Sequence, residues 1–187
     1  MSPDGALIVP IPLAEPVIVD VRGQLGLTEE LELPPHISVL YPFAPPPYDE
    51  SMLDDLSQCF LSIPRFDFAL SSVNSFDWRV IYLSPDPEGP FATLTKSVEG
   101  MFPEYPAYGG AFASVIPHLT VVEDESRRIM KRAARRLRAA IPIQATASSV
   151  LLVGRASAEA PWTTYREFEL AESGYGGTSS GASIEPC

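Results

Sequence analysis

Pro35-His36-Ile37-Ser38-Val39 and Pro117-His118-Leu119-Thr120-Val121 carry the only two histidines of the chain. Each pentapeptide sets an imidazole and a hydroxyl two residues apart. Extended backbone alternates its side chains between faces, so His36 and Ser38 point one way while Ile37 and Val39 point into the opposite, buried layer. His118 and Thr120 stand in the same relation to Leu119 and Val121. Ordinary composition supplies a Ser or Thr at a given position about one time in eight, so finding one at both places is roughly a one-in-sixty event. The matching proline, aliphatic and valine make coincidence rarer still. Two such strands side by side would deliver two imidazoles and two hydroxyls into one small volume.

Outward from the pentapeptides, the flanking segments also recur. Ala6 to Pro12 is a short apolar strand, followed by a helix from Ala14 to about Leu25 with Pro16 in its first turn, where proline is tolerated. The His36 strand runs to about Tyr41 and is stopped by Pro45, Pro46 and Pro47. Met52, Leu53, Leu56, Cys59, Phe60 and Ile63 then recur at three-to-four spacing behind Asp49 or Ser51 as N-cap, which predicts an amphipathic helix. Arg65 to Val73 alternates through Phe66, Phe68 and Leu70 as a half-buried strand. A second round begins with a strand from Asp77 to Leu83, carrying Trp78, Val80 and Tyr82 on one face, and a helix from Glu88 to Phe102. The loop from Pro103 to Pro117 leads to the His118 strand, a helix from Ser126 to Ala140 and a strand from Ile143 to Val153. Trp162 to Leu170 forms a closing strand.

The expected fold class is α+β: a bilobal, pseudo-twofold duplication with two small, mostly antiparallel sheets flanked by helices around a central groove. Repeat units of about 6–75 and 77–153 interleave within one domain, 1–170. The two histidine strands are expected as central elements facing each other across the groove. Ala171 to Cys187, rich in Gly and Ser, is expected to be disordered.

A formal net charge of −11 argues against gripping long nucleic acid through its backbone, and leaves a small, locally bound nucleotide open. Cys59 and Cys187 do not make a disulfide framework, and no C-x-x-C or H-E-x-x-H spacing points to zinc. The apolar stretch from Ala6 to Val19 is broken by three prolines and has no basic leader, so it reads as neither signal peptide nor membrane span. A cytoplasmic setting is the expectation. Seven basic residues crowd into the helix from Ser126 to Ala140, opposite a stripe of Ile129, Met130, Ala133, Ala134 and Leu137. This is read as a solvated face pairing with acidic neighbours, ahead of a ridge that tracks RNA.

An imidazole titrates near neutrality, so one ring can be a base while its partner is an acid. Ser38 and Thr120 would donate hydrogen bonds to non-bridging phosphate oxygens. This scheme requires neither metal nor cofactor. Tyr41, Phe43, Tyr108 and Phe112 are candidates to line or stack on a base.

The tandem His-aliphatic-Ser/Thr-Val pattern resembles the 2H phosphoesterase superfamily, which includes the 2′-5′ RNA ligase-like and cyclic phosphodiesterase proteins. Leu7-Ile-Val-Pro-Ile-Pro12, His36-Ile-Ser-Val-Leu-Tyr-Pro-Phe43 and Tyr108-Gly-Gly-Ala-Phe112 are similar to its bacterial branch, and the likeness covers about Ala6 to Leu170. It implies metal-independent cleavage of 2′,3′-cyclic, 2′-5′-linked or related phosphodiesters, with His36, Ser38, His118 and Thr120 in the family's catalytic positions. Ser38 stands where the family commonly has Thr, which keeps the hydroxyl. Hydrolysis is expected rather than ligation, on a small nucleotide or an RNA terminus, with no membrane and no long duplex as partner. The residues alone leave two rivals: a non-catalytic nucleotide or RNA-end binding module, and a two-histidine metal site completed by Glu123 or Asp124. They do not assign base and acid between the two histidines.

Overall fold

The computed structural model describes residues 4–29, 31–112, 115–124 and 126–172. Two four-stranded antiparallel sheets carry four helices. Sheet 1 has the order β2-β1-β7-β8, built from β1 (Asp4–Pro10), β2 (His36–Phe43), β7 (Ser149–Arg155) and β8 (Thr163–Glu169). Sheet 2 has the order β5-β4-β3-β6, built from β3 (Phe66–Phe76), β4 (Val80–Asp86), β5 (Leu119–Glu123) and β6 (Ile143–Ala147). The histidine strands are therefore edge strands of their own sheets and central only to the whole molecule, where β2 and β5 lie against each other.

The helices tie the halves together crosswise. Helix α1 (Glu15–Gln24) begins with a proline in its first turn and packs against β5, while α3 (Gly89–Met101) packs against β2. Helix α2 (Glu50–Leu61) is capped by Asp49, whose carboxylate accepts the Met52 N–H at 2.8 Å. A cap of this kind stabilises by about 1 kcal/mol. Leu56 and Phe60 of α2 are buried, with the Phe60 ring 5.5 Å from Phe168 on β8. Helix α4 (Arg127–Leu137) buries Met130, Ala133, Ala134 and Leu137.

Strand β2 departs from strict alternation. Leu7 pairs with Leu40 and Ile8 with Ser38, which leaves Val39 as an extra residue in a bulge. The Val39 carbonyl, released from the ladder, accepts a hydrogen bond from Thr95 Oγ1 of α3 at 2.8 Å. A helix of the second unit thus fixes the strand that carries the first histidine.

Three sequence expectations need correction. The stretch from Ile143 to Val153 is two strands, because the chain leaves sheet 2 after Ala147 and enters sheet 1 at Ser149. Asp77 and Trp78 are not in a strand; both have positive φ and form the turn between β3 and β4, closed by the Arg79 N–H donating to the Phe76 carbonyl at 2.9 Å. Among the described residues the basic face of α4 makes no salt bridge with an acid; those that form are Arg65–Glu169, Arg155–Asp4 and Arg166–Glu50. Of the C-terminal stretch, 173–187 lie outside the described residues. Ala171 is held, its N–H donating to the Ile63 carbonyl and its own carbonyl accepting from Arg65 N–H. Among the described residues no helix is long and apolar enough to cross a membrane.

Candidate active site

His36 opens β2 and His118 immediately precedes β5, so each stands where an edge strand begins. Ile37, Val39, Leu119 and Val121 are buried in the core, and this turns His36, Ser38, His118 and Thr120 to the other side. All four side chains line one pocket of about 80 Å³, closed at its rim by Leu31, Leu33 and the prolines before His36. That volume suits a small anion, well below the hundreds of Å³ that a whole nucleotide needs.

The two rings are anchored alike. His36 Nδ1 lies 2.8 Å from the Pro34 carbonyl and His118 Nδ1 lies 2.7 Å from the Ile116 carbonyl. A carbonyl only accepts, so each Nδ1 carries the proton and each Nε2 is left for the pocket. Both contacts reach two residues back along the chain, a repeat of local geometry that follows from the repeated Pro-His sequence. Burial pushes the His36 imidazole below its ordinary value of 6.5; the Pro34 carbonyl works against this and positive charge on His118 adds to it. That mutual repulsion is the electrostatic sign of two rings sharing one site.

Aromatic side chains surround His118. Its ring meets Phe76 edge-on at 5.0 Å and Tyr82 at 5.2 Å, and those two stack on each other at 4.3 Å. Sequence reading missed both as neighbours of the site. Tyr82 comes there because it pairs with Thr120 across β4 and β5, a register that only the sheet order reveals.

The four aromatic candidates divide. Tyr108 and Phe112 line a cleft of about 570 Å³ that shares His118 with the small pocket, and their rings meet edge-on at 5.7 Å. Phe112 is 67% exposed, open to a flat partner. Phe43 is instead core: it is 2% exposed and packed against Phe102 and Tyr105. Tyr41 is also displaced from the role expected of it. Its hydroxyl donates to Asp4 Oδ2 at 2.8 Å, and Asp4 lies six residues along β1 from Pro10, the partner of His36. At about 3.3 Å per residue this is roughly 20 Å from the imidazole. Among the described residues no group of three His, Cys, Asp or Glu side chains could hold a metal ion.

A family model described as the 2′-5′ RNA ligase superfamily matches residues 9–159. No curated protein matches the sequence. Among solved structures, E. coli LigT complexed with 3′-AMP is 16% identical, with a TM-score of 0.57 over 90% of this chain and 99% of that one. LigT complexed with NADP+ is 16% identical, with a TM-score of 0.56 over 91% and 99%. A structure described as a phosphoesterase is 15% identical, with a TM-score of 0.52 over 91% and 99%. At such identities the likeness establishes the fold, and both lobes take part in it.

Proposed function

This chain belongs to the 2′-5′ RNA ligase superfamily of 2H phosphoesterases, and on that premise we propose that it hydrolyses a 2′,3′-cyclic, 2′-5′-linked or related phosphodiester by metal-independent acid-base catalysis. The observation that carries this reading is the pair of imidazoles, each tethered through Nδ1 and each lining the same small pocket beside a hydroxyl.

The reacting phosphate occupies the pocket between the rings. His36, which the free protein holds neutral to lower pH than an ordinary imidazole, takes a proton from the attacking water through Nε2 as the new O–P bond forms. His118 gives its Nε2 proton to the departing oxygen as the old P–O bond breaks. Each ring needs to be about 3 Å from its oxygen, which puts the two roughly 6–8 Å apart. Ser38 Oγ and Thr120 Oγ1, which make no hydrogen bond among the described residues, donate to the non-bridging oxygens where charge builds. The Pro34 and Ile116 carbonyls fix the tautomer and favour the imidazolium when it forms.

Tyr108 and Phe112 supply stacking surface for a base whose sugar-phosphate lies at His118. The nucleotides held by LigT, 3′-AMP and NADP+, support a nucleotide or an RNA terminus as the substrate class. The test is a panel of 2′,3′-cyclic mononucleotides and 2′-5′ oligoadenylate, assayed with the wild type, His36→Ala and His118→Ala in the presence of a chelator. Turnover by the wild type alone is expected. Tight binding by the wild type without product would overturn the reading in favour of a non-catalytic module.

A further inference from the structure

All thirteen Lys and Arg side chains fall within the described residues. Seven stand on the segment of α4 and its C-cap. Helix α4 packs against β3, β4 and β5, and its apolar stripe shares a core with Leu119 and Val121, the side of β5 opposite His118 and Thr120. None of the seven lines the pocket or the clefts beside it, and Arg132 and Arg136 donate to the Gln24 carbonyl and Oε1 at the C-terminal end of α1. Arg65, Arg155 and Arg166 are paired with carboxylates, and Arg79 and Lys96 are exposed.

The hollows flanking the phosphate pocket have the opposite character. On one side, a cleft of about 740 Å³ shares Leu31, Leu33 and the two prolines with the pocket, and its walls carry Glu15, Glu29 and Glu32. Arg22 is the one cation there, and it is turned to the Val121 and Glu29 carbonyls. On the other side, the aromatic cleft carries Asp77 and, among the described residues, no Lys or Arg, His118 being engaged with the reacting phosphate.

We infer that the groove ranks the substrates of the proposed class by charge: a nucleoside whose reacting phosphate is its only one, with neutral or cationic groups on either side, is turned over faster than a nucleotide or RNA end bearing a second phosphate. This rests on the placement of the reacting phosphate at His36 and His118. A second phosphate would lie beside net negative walls, where the Arg22 guanidinium already donates to two backbone carbonyls. The three glutamates less Arg22 leave a net wall charge of about −2, and repulsion by that charge costs a second phosphate on the order of tenfold at low ionic strength.

The experiment compares adenosine 2′,3′-cyclic phosphate with its 5′-phosphorylated form. We expect kcat/KM to be about tenfold lower for the latter at low salt, with the ratio approaching one at about 1 M salt, where screening lengths shrink to about 3 Å. The double variant Glu29→Gln, Glu32→Gln should narrow the low-salt ratio. Calorimetry with adenosine 3′-monophosphate and adenosine 3′,5′-bisphosphate gives the same comparison without turnover. Tighter binding of the monophosphate with no turnover of either ester would support the charge selection and overturn the catalytic proposal alone. Equal or preferred handling of the doubly phosphorylated ligands at low salt would overturn the selection.

Discussion

Replacing His118 with Ala removes the proton donor of the proposed mechanism and leaves the base in place. General acid catalysis contributes about 10²–10⁴-fold, equivalent to about 3–5 kcal/mol of barrier. The loss should depend on the leaving group, because only a poor one needs the proton. On a 2′,3′-cyclic nucleotide, whose departing group is a ribose oxygen, kcat should fall by about 10²–10⁴. On a nitrophenyl phosphodiester, whose leaving group departs as a stable anion, the fall should be about tenfold or less. His36→Ala should lose about 10²-fold or more on both, since either ester needs its nucleophile deprotonated. The fold should survive: the His118 ring makes edge-on contacts with Phe76 and Tyr82 at 5.0 and 5.2 Å. Each such contact contributes on the order of 0.5–1.5 kcal/mol, against a typical stability of about 5–15 kcal/mol. The assay is product separation by chromatography for the cyclic nucleotide and absorbance for the nitrophenyl ester, with circular dichroism to check folding. Undiminished turnover of the cyclic nucleotide by folded His118→Ala would refute the mechanism. Equal losses on the two esters would refute the acid role.

Burial holds His36 below 6.5, so the acidic limb of kcat/KM, which reports the free protein, should fall below that pH. The same shift means that the unfolded chain takes up the proton first, so stability should decline as pH falls from 6.5 toward the folded value, and His36→Asn should remove that part of the decline in thermal melts. Thr95→Val keeps the side chain's volume and strands the buried Val39 carbonyl, a loss of about 1–3 kcal/mol that denaturant titration would detect; an unchanged midpoint would dismiss the bond's importance. At Gly5 an added Cβ would run into the Ala44 carbonyl oxygen, which is backbone and has no rotamer to yield. Gly5→Ala should therefore cost about 1–3 kcal/mol, and a variant as stable as the parent would show that β1 can shift.

Sequence resolved what depends on local rules. Alternation in the two pentapeptides placed His36, Ser38, His118 and Thr120 on faces opposite their aliphatic neighbours, and the structure has that pattern. Spacing and Asp49 located α2 because a cap and an apolar stripe are properties of a dozen consecutive residues. The failures are non-local or lack a punctuating residue. The bulge at Val39 is visible only in the pairing with β1, and the aromatic residues beyond it fall elsewhere than expected. The turn at Asp77-Trp78 adopts positive φ without the Gly or Asn that normally announces it. No Gly or Pro lies between Ile143 and Val153 to mark the change of sheet, which is decided by β3 on one side and β1 on the other.

That change of sheet sets the order in which the molecule can be finished as it is synthesised. Strand β1 pairs with β2 on one edge and with β7 on the other, joining Asp4 to Arg155. Until β7 and β8 emerge, sheet 1 is only the two-stranded ribbon of β1 and β2, an arrangement of marginal stability in water. Such distant pairing also closes slowly. The wall bearing His36 is thus translated well ahead of β7 and β8, the strands that complete its sheet.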